Sequence, residues 1–110
     1  MDFNHFLTSY MPDTSIGSKQ HFKNMLEECV TAEKIGYATV SIPEHHLINL
    51  LMMPSPLQMA VKIASVTKNI KITTGIVVLS LHDMRNCLVQ MTHTEHIATT
   101  AKRIDSGTCV

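Results

Sequence analysis

The chain lacks an excess of charge of either sign. It has 9 basic and 9 acidic side chains, so its formal net charge is zero. A nucleic-acid-binding surface needs a basic excess to displace counterions from phosphates, so we expect no nucleic-acid partner. Residues 1–10 contain no basic residue, which is unlike the start of a secretory signal peptide. No apolar run reaches the roughly 18 residues that span a bilayer, so we expect no membrane partner.

The chain is also poor in cysteine and in the glycine patterns of nucleotide-binding loops. Cys29, Cys87 and Cys109 are odd in number and widely spaced, which disfavours a disulfide framework and favours reduced thiols in a cytoplasmic protein. Only Gly17 lies near the first predicted strand, so the dinucleotide fingerprint of three glycines is absent, as is a Walker-type loop. With 110 residues, the chain is well short of the roughly 250 residues of a closed eight-stranded α/β barrel. A barrel interpretation therefore implies a partial domain.

What the chain does contain is an alternation of short apolar runs and helical patterns. We predict strands at residues 3–8, 37–42, 70–79 and 103–109, and helices at residues 19–35, 56–67 and 84–98. The first predicted helix has apolar residues on one face at Phe22, Met25, Leu26, Cys29 and Val30. Gly36 stands where a left-handed residue would end that helix. Such alternation predicts an α/β fold built from parallel (β/α) units.

The second predicted helix has the clearest start signal in the chain. Ser55 is a typical capping residue, Pro56 suits the first helical position, and Gln58 is placed to complete a capping box. The predicted strand at residues 70–79 is apolar on consecutive positions, which is typical of a strand covered on both sides. If the sheet had helices on one face only, Ile42, Val77 and Leu79 would be candidates for an exposed apolar inner face.

Ionisable groups are concentrated directly after the second predicted strand. Glu44, His45 and His46 follow Pro43 and the apolar segment 39–42. Because the carboxyl ends of parallel strands open toward the ligand crevice, this segment is the candidate site of chemistry. From the residues alone, a polar loop entrance explains the same pattern.

Several landmarks, in order and with matching spacing, carry a family resemblance over residues 1 to about 86. They are Phe6 to Tyr10, then Glu44 to His46 after a strand, then Ser55 and Pro56 opening a helix, then Thr73 to Leu79, and finally His82. In these features the chain resembles the first third of the bacterial luciferase-like monooxygenases. The resemblance implies the amino-terminal fragment of a TIM (β/α)8 barrel, with residues 1–110 covering three β/α units and the start of a fourth strand.

The resemblance also implies an activity. Members of the family use reduced flavin mononucleotide (FMN), or in some branches a deazaflavin, together with dioxygen to oxidise small organic substrates. Many receive the reduced flavin from a separate reductase. The flavin phosphate site of the family lies on later strands, in line with the usual barrel site after strands seven and eight. We therefore expect this chain to be inactive until it is completed by further sequence or by another chain.

Residue by residue, the resemblance assigns roles to few positions. His45 matches the family histidine implicated in proton transfer near the flavin, a task that suits an imidazole with an unperturbed pKa near ~6.5. The resemblance implies that His46 positions substrate or flavin, and that Glu44 orients the imidazoles by accepting a ring proton.

On the cofactor side, the resemblance points to the third strand and the loop after it. Thr74, Gly75 and Ile76 match the segment beside the flavin ring, where family members carry a bulge and a non-proline cis peptide. Such a bond costs ~3 to 4 kcal/mol, so a glycine there is physically sensible. His82 matches a histidine in the following loop. Without the resemblance, Gly75 marks a strand bulge and His82 is an ordinary loop residue.

Two alternatives from other functional classes remain open at this point. The chain could be a truncated, non-catalytic α/β fragment that associates with itself through its unpaired strand edges. It could also be a small metal-binding domain that uses His93 and His96 with Cys87 or Cys109, although no fourth ligand lies at a zinc-site spacing. On the sequence alone we assign no metal ligands.

Overall fold

The computed structural model describes residues 1–98 and 104–105, which form a parallel four-stranded sheet with helices between the strands. The strands are β1 (Asn4–Phe6), β2 (Thr39–Ile42), β3 (Lys71–Thr74) and β4 (Ile104–Asp105), in that order across the sheet. The helices are α1 (Gly17–Lys34), α2 (Pro56–Val66) and α3 (Met84–Ala98). The predicted α/β fold of parallel units is confirmed. Of the predicted fourth strand, residues 103 and 106–109 lie outside the described residues.

The hydrophobic core lies between the sheet and the helices. Its fully buried members include Leu7, Met25, Cys29, Val40, Ile42, Met59, Ile63 and Ile72. Each buried Val, Leu, Ile or Met side chain stabilises the fold by about 1.5–3 kcal/mol relative to exposure. Within the described residues, no helix is long and apolar enough to cross a membrane.

Helix α1 forms where predicted, and Met25 and Cys29 of its predicted face are buried, but the buried face is shifted toward His21 and Ala32. The buried positions are His21, Met25, Cys29 and Ala32, whereas Phe22 is 39% exposed. His21 is accommodated because its Nε2 lies 3.2 Å from the carbonyl oxygen of Ser9, which satisfies the imidazole inside the fold. Gly36 adopts a φ of +93°, so its predicted role at the helix end is confirmed.

Helix α2 starts at Pro56 as predicted, but without the predicted capping box. Ser55 precedes the helix with φ −140° and ψ 78°, and its side chain makes no capping hydrogen bond. The backbone carbonyl of Ser55 instead accepts the first helical bond from the N–H of Met59 at 3.2 Å. The fixed φ of the proline is thus sufficient to start the helix here.

Strand β3 is shorter than the predicted strand at residues 70–79. It ends at Thr74, the N–H of Gly75 donates to the Ile42 carbonyl at 2.6 Å, and the chain then leaves the sheet. A short 3-10 helix follows at Leu79–Leu81. The consecutive apolar residues that favoured a strand therefore mostly belong to a loop.

The face of the sheet away from the helices is largely polar, which corrects the predicted apolar inner face. Ile42 is 0% and Val77 is 1% exposed, because Ile42 points into the helix-covered core and Val77 is buried in the loop after β3. Asn4 on β1 and Thr39 and Ser41 on β2 are polar positions of this face, and the Ser41 hydroxyl donates to Asn4 Oδ1 at 3.0 Å. Phe6, 57% exposed, is the main apolar side chain at these positions on β1.

Candidate active site

A buried carboxylate lies directly after β2 and accepts three hydrogen bonds. The side chain of Glu44 is 0% exposed. Its Oε1 accepts from His46 Nε2 at 2.5 Å and from His82 Nε2 at 2.7 Å, and its Oε2 accepts from the N–H of Val78 at 2.8 Å. Three donors on one carboxylate compensate for its burial, since an unpaired buried charge would be strongly disfavoured.

These contacts join two loops that are remote in sequence. Glu44 and His46 belong to the loop after β2, whereas Val78 and His82 belong to the segment after β3. Because β2 and β3 are parallel neighbours, their carboxyl ends open onto the same edge of the sheet. The side chains of His46 and His82 are about one-third exposed, at 30% and 32%. The cluster of Glu44, His46 and His82 therefore consists of a buried carboxylate and two imidazoles that are accessible to solvent.

The surroundings hold the carboxyl of Glu44 in its charged form. Burial by itself raises the pKa of this carboxyl, but hydrogen bonds from His46, Val78 and His82, together with the charge of His82, lower it below its usual value. The net pKa is lowered, so Glu44 is an anion at neutral pH.

His45 lies beside this cluster but is not a member of it. Its backbone N–H donates to the Met53 carbonyl at 2.8 Å, which fixes the start of the loop after β2. Its half-buried side chain lines a cavity of about 650 Å³, together with His46, Asn49, Leu51, Met52 and Leu81. Glu44 thus accepts hydrogen bonds from the rings of His46 and His82, whereas the His45 ring lines the cavity and makes no hydrogen bond to Glu44.

The loop that forms the cavity is tied to the segment after β1. The N–H of Met52 donates to Ser9 O at 3.1 Å, and the N–H of Met11 donates to Leu50 O at 2.7 Å. Leu47 has a φ of +58°, in the left-handed region that costs a residue with a side chain free energy. Strained residues of this kind are common at functional sites. The sequence offers no signal for this strain, because nothing local marks Leu47 as left-handed.

The predicted cofactor-binding residues do not share one surface. Thr74 is 2% exposed, and its hydroxyl is buried without a hydrogen-bond partner. Gly75 permits a close approach, because a Cβ there would lie 3.3 Å from Ile42 O and 3.5 Å from Phe6 Cε2. Ile76 is 47% exposed, and His82 joins Glu44. The peptide bonds of the described residues are all trans, so the cis peptide that the resemblance implies here is not formed.

The residues of the alternative metal-binding domain do not form one cluster among the described residues. Cys87 is 3% exposed, whereas His93 and His96 lie on the exposed side of α3. His96 Nδ1 lies 2.8 Å from Thr92 O within its own helix. Cys109 lies outside the described residues. In the part of the chain that the structure describes, the metal-competent grouping is instead Glu44, His46 and His82.

Comparison with known proteins identifies the family of this chain. The family model described as luciferase-like monooxygenase matches residues 1–85. The chain belongs to this family. Among curated relatives, "Uncharacterized protein y4vJ" from Sinorhizobium fredii is 28% identical over 98 residues, which cover 89% of this chain and 28% of that protein. The oxygenase component of a flavin-dependent trigonelline monooxygenase from Acinetobacter baylyi is 33% identical over 60 residues, covering 54% of this chain and 17% of that protein.

Solved structures confirm the fold of this luciferase-like chain. The oxygenating constituent of 3,6-diketocamphane monooxygenase from Pseudomonas putida, solved with FMN, superposes with a TM-score of 0.88 at 21% identity, covering 100% of this chain and 29% of that one. Monooxygenase RslO1 from Streptomyces bottropensis gives a TM-score of 0.87 at 21% identity, covering 97% and 32%. The chain thus spans less than a third of the length of these proteins and corresponds to the amino-terminal part of their fold.

Proposed function

We propose that residues 1–110 form a partial luciferase-like domain, the amino-terminal portion of an FMN-dependent monooxygenase that uses reduced flavin and dioxygen on a small organic substrate. The observation that carries the proposal is the cavity lined by His45 and His46 beside the buried Glu44, at the carboxyl edge of the sheet in a chain of this family. Catalysis requires further β/α units, and a separate flavin reductase supplies the reduced cofactor.

The residues that line the cavity fit a flavin ring. A volume of about 650 Å³ falls within the range of small-molecule and cofactor pockets. Leu51, Met52 and Leu81 offer apolar surface for a flat tricyclic ring, while His45 and Asn49 offer hydrogen-bonding groups for its polar edge. When bound, reduced flavin supplies the electrons with which dioxygen is activated.

Within this proposal, His45 is the residue that moves a proton. Its side chain faces the cavity rather than the Glu44 cluster, so its ring nitrogens remain available to a bound molecule. His46 also lines the cavity, but its Nε2 is committed to Glu44. We therefore assign His46 and Glu44 to positioning, with His82 donating to the same carboxylate oxygen as His46.

The cavity has a charge composition that suits a ring but not a phosphate. No lysine or arginine lines it among the described residues. A phosphate group needs cationic side chains or helix amino termini, and in barrels these usually lie after strands seven and eight. The chain should therefore bind the flavin ring, whereas the flavin phosphate should be bound by β/α units that follow it in a complete barrel.

Flavin titration tests whether the chain binds the ring without binding the phosphate. We expect the chain to bind riboflavin and FMN saturably and with similar affinity, because the phosphate contributes little here. Leu81→Trp, which adds bulk at a 60% exposed position of the cavity, should weaken both. Leu88→Trp is the matched control, since Leu88 is 63% exposed on α3 and outside the cavity.

The opposite result would favour the non-catalytic alternative. Absence of saturable flavin binding, together with oligomers that grow with concentration in gel filtration, would support a self-associating fragment. Exposed apolar side chains on α3 give that alternative a physical basis, since Leu88 and Val89 are 63% and 67% exposed. Equal weakening by Leu81→Trp and Leu88→Trp would contradict the placement of the flavin in the cavity.

A further inference from the structure

We propose that Glu44, His46 and His82 form a binding site for a divalent first-row transition-metal ion. The ligand atoms that these three residues offer all lie within 4.8 Å of one another. They come from two loops that the parallel sheet brings to one edge, so the site exists only in the folded chain. The inference goes beyond the proposed flavin chemistry and does not depend on it, because it rests on the geometry and chemistry of the three ligand groups alone.

The geometry requires only a modest rearrangement to admit an ion. Without metal, Glu44 Oε1 lies 2.5 Å from His46 Nε2 and 2.7 Å from His82 Nε2. Zinc bonds of about 2.0–2.2 Å at tetrahedral angles place ligand atoms roughly 3.3 Å apart, so both rings must move outward by less than about 1 Å. Both rings are one-third exposed and lie on loops, whereas Glu44 stays anchored by the Val78 N–H through its other oxygen.

The proton balance of metal binding is simple. In the hydrogen-bonded state each imidazole donates its Nε2 proton to Glu44. On metal binding the proton moves to Nδ1, which no described residue engages in either ring, and the Nε2 lone pair binds the ion. A ring that is neutral before binding loses no proton overall, and a ring that is protonated releases one proton to solvent. The divalent ion places a close cation beside the buried carboxylate.

The donor set selects the class of ion. Two imidazole nitrogens and one carboxylate oxygen are the ligands of catalytic zinc and of non-haem Fe(II) sites, and they leave coordination positions for water or another molecule. Magnesium and calcium prefer oxygen ligands throughout, so they fit poorly. Soft ions such as Cu(I) favour thiolate or thioether ligands, which this cluster lacks.

The test is a zinc titration of the chelator-treated chain by calorimetry, with Co²⁺ absorption as a second probe of the ligand field. We expect one equivalent of Zn²⁺ and a Co²⁺ spectrum typical of low-coordinate nitrogen and oxygen ligation. Glu44→Gln and His82→Gln should each weaken binding by more than about 100-fold, because even changes outside the ligand set cost 10–100-fold. The double variant His93→Gln with His96→Gln should bind as tightly as the unchanged chain.

Two further outcomes would overturn the proposal. One is the absence of zinc binding tighter than about 1 mM at neutral pH, an affinity worth only about 4 kcal/mol. The other is loss of binding in the His93 and His96 double variant while His82→Gln keeps full affinity, which would move the metal to α3. His82→Gln leaves the buried Glu44 and its Val78 contact in place, so circular dichroism can establish that this variant folds.

Discussion

Replacement of Glu44 by glutamine should destabilise the chain substantially at neutral pH. The amide has nearly the same shape, but only its carbonyl oxygen can accept hydrogen bonds. If that oxygen faces the two histidines, the new NH₂ group faces the Val78 N–H and leaves a buried donor unsatisfied, at a cost of about 1–3 kcal/mol. The bonds from His46 and His82 also lose the assistance of the charge, at roughly 1 kcal/mol each, reduced by the exposure of the rings. We expect a total loss of about 2–4 kcal/mol.

Urea unfolding measures this difference and its dependence on pH. The pKa of Glu44 is lowered in the folded chain, whereas an unfolded glutamate has a pKa of about 4.3. The stabilisation by its charge is therefore complete above the unfolded pKa and is lost as the pH falls through the folded pKa. The unfolding free energies of the unchanged chain and of Glu44→Gln should converge below about pH 4.

The control for this prediction is an exposed glutamate. Glu27 pairs with Lys23 at 3.7 Å, and both side chains are about two-thirds exposed, so Glu27→Gln should change stability by less than about 1 kcal/mol. If Glu44→Gln unfolds at the same urea concentration as the unchanged chain at pH 7, the argument from buried hydrogen bonds is refuted. If the two stability curves stay parallel down to pH 3, the link to the Glu44 charge is refuted.

Three further substitutions or reactions test other parts of the structure. The carboxylate of Glu33 accepts hydrogen bonds from the N–H groups of residues 68–70. Glu33→Ala should therefore lower the unfolding free energy by about 2–3 kcal/mol, and a loss below about 0.5 kcal/mol would contradict this role. Leu47 has a φ of +58° and a fully exposed side chain. Because asparagine tolerates this left-handed conformation better than leucine, Leu47→Asn should raise the urea midpoint by the equivalent of roughly 0.5–1 kcal/mol. A lower midpoint would argue against backbone strain at this position. Burial raises the pKa of the Cys29 thiol to about 12, so iodoacetamide should label Cys29 only at the rate of unfolding, and rapid labelling of the native chain would contradict its burial.

Local signals in the sequence predicted the elements well where a single residue fixes the backbone. Pro56 starts α2 because its φ is preset for a helix, and Gly36 follows α1 because it tolerates a φ of +93°. The end of β3 could not be predicted in this way. The apolar run after Thr74 looks like a strand, but the N–H of Val78 bonds to a carboxylate 34 residues earlier rather than to a neighbouring strand.

The residues of the candidate site could be predicted from the sequence, but their contacts could not. The position after a predicted strand singled out Glu44, His45 and His46, and the family resemblance added His82, but neither showed which imidazoles contact the carboxylate. The structure pairs Glu44 with His46 and His82 and leaves His45 facing the cavity. The metal-competent grouping was missed for the same reason, since His82 lies 38 residues from Glu44 along the chain.

The sequence by itself therefore determined the class of fold, the family and the segments that carry ionisable groups, because periodicity, turn residues and motif spacing are local properties of the chain. The tertiary structure alone decided the partners of those groups. Parallel pairing of β2 with β3 places the ends of two separate segments side by side, and the buried Glu44 carboxylate there is satisfied by donors from both segments. Contacts of this kind depend on distance in space, which the order of residues does not encode locally.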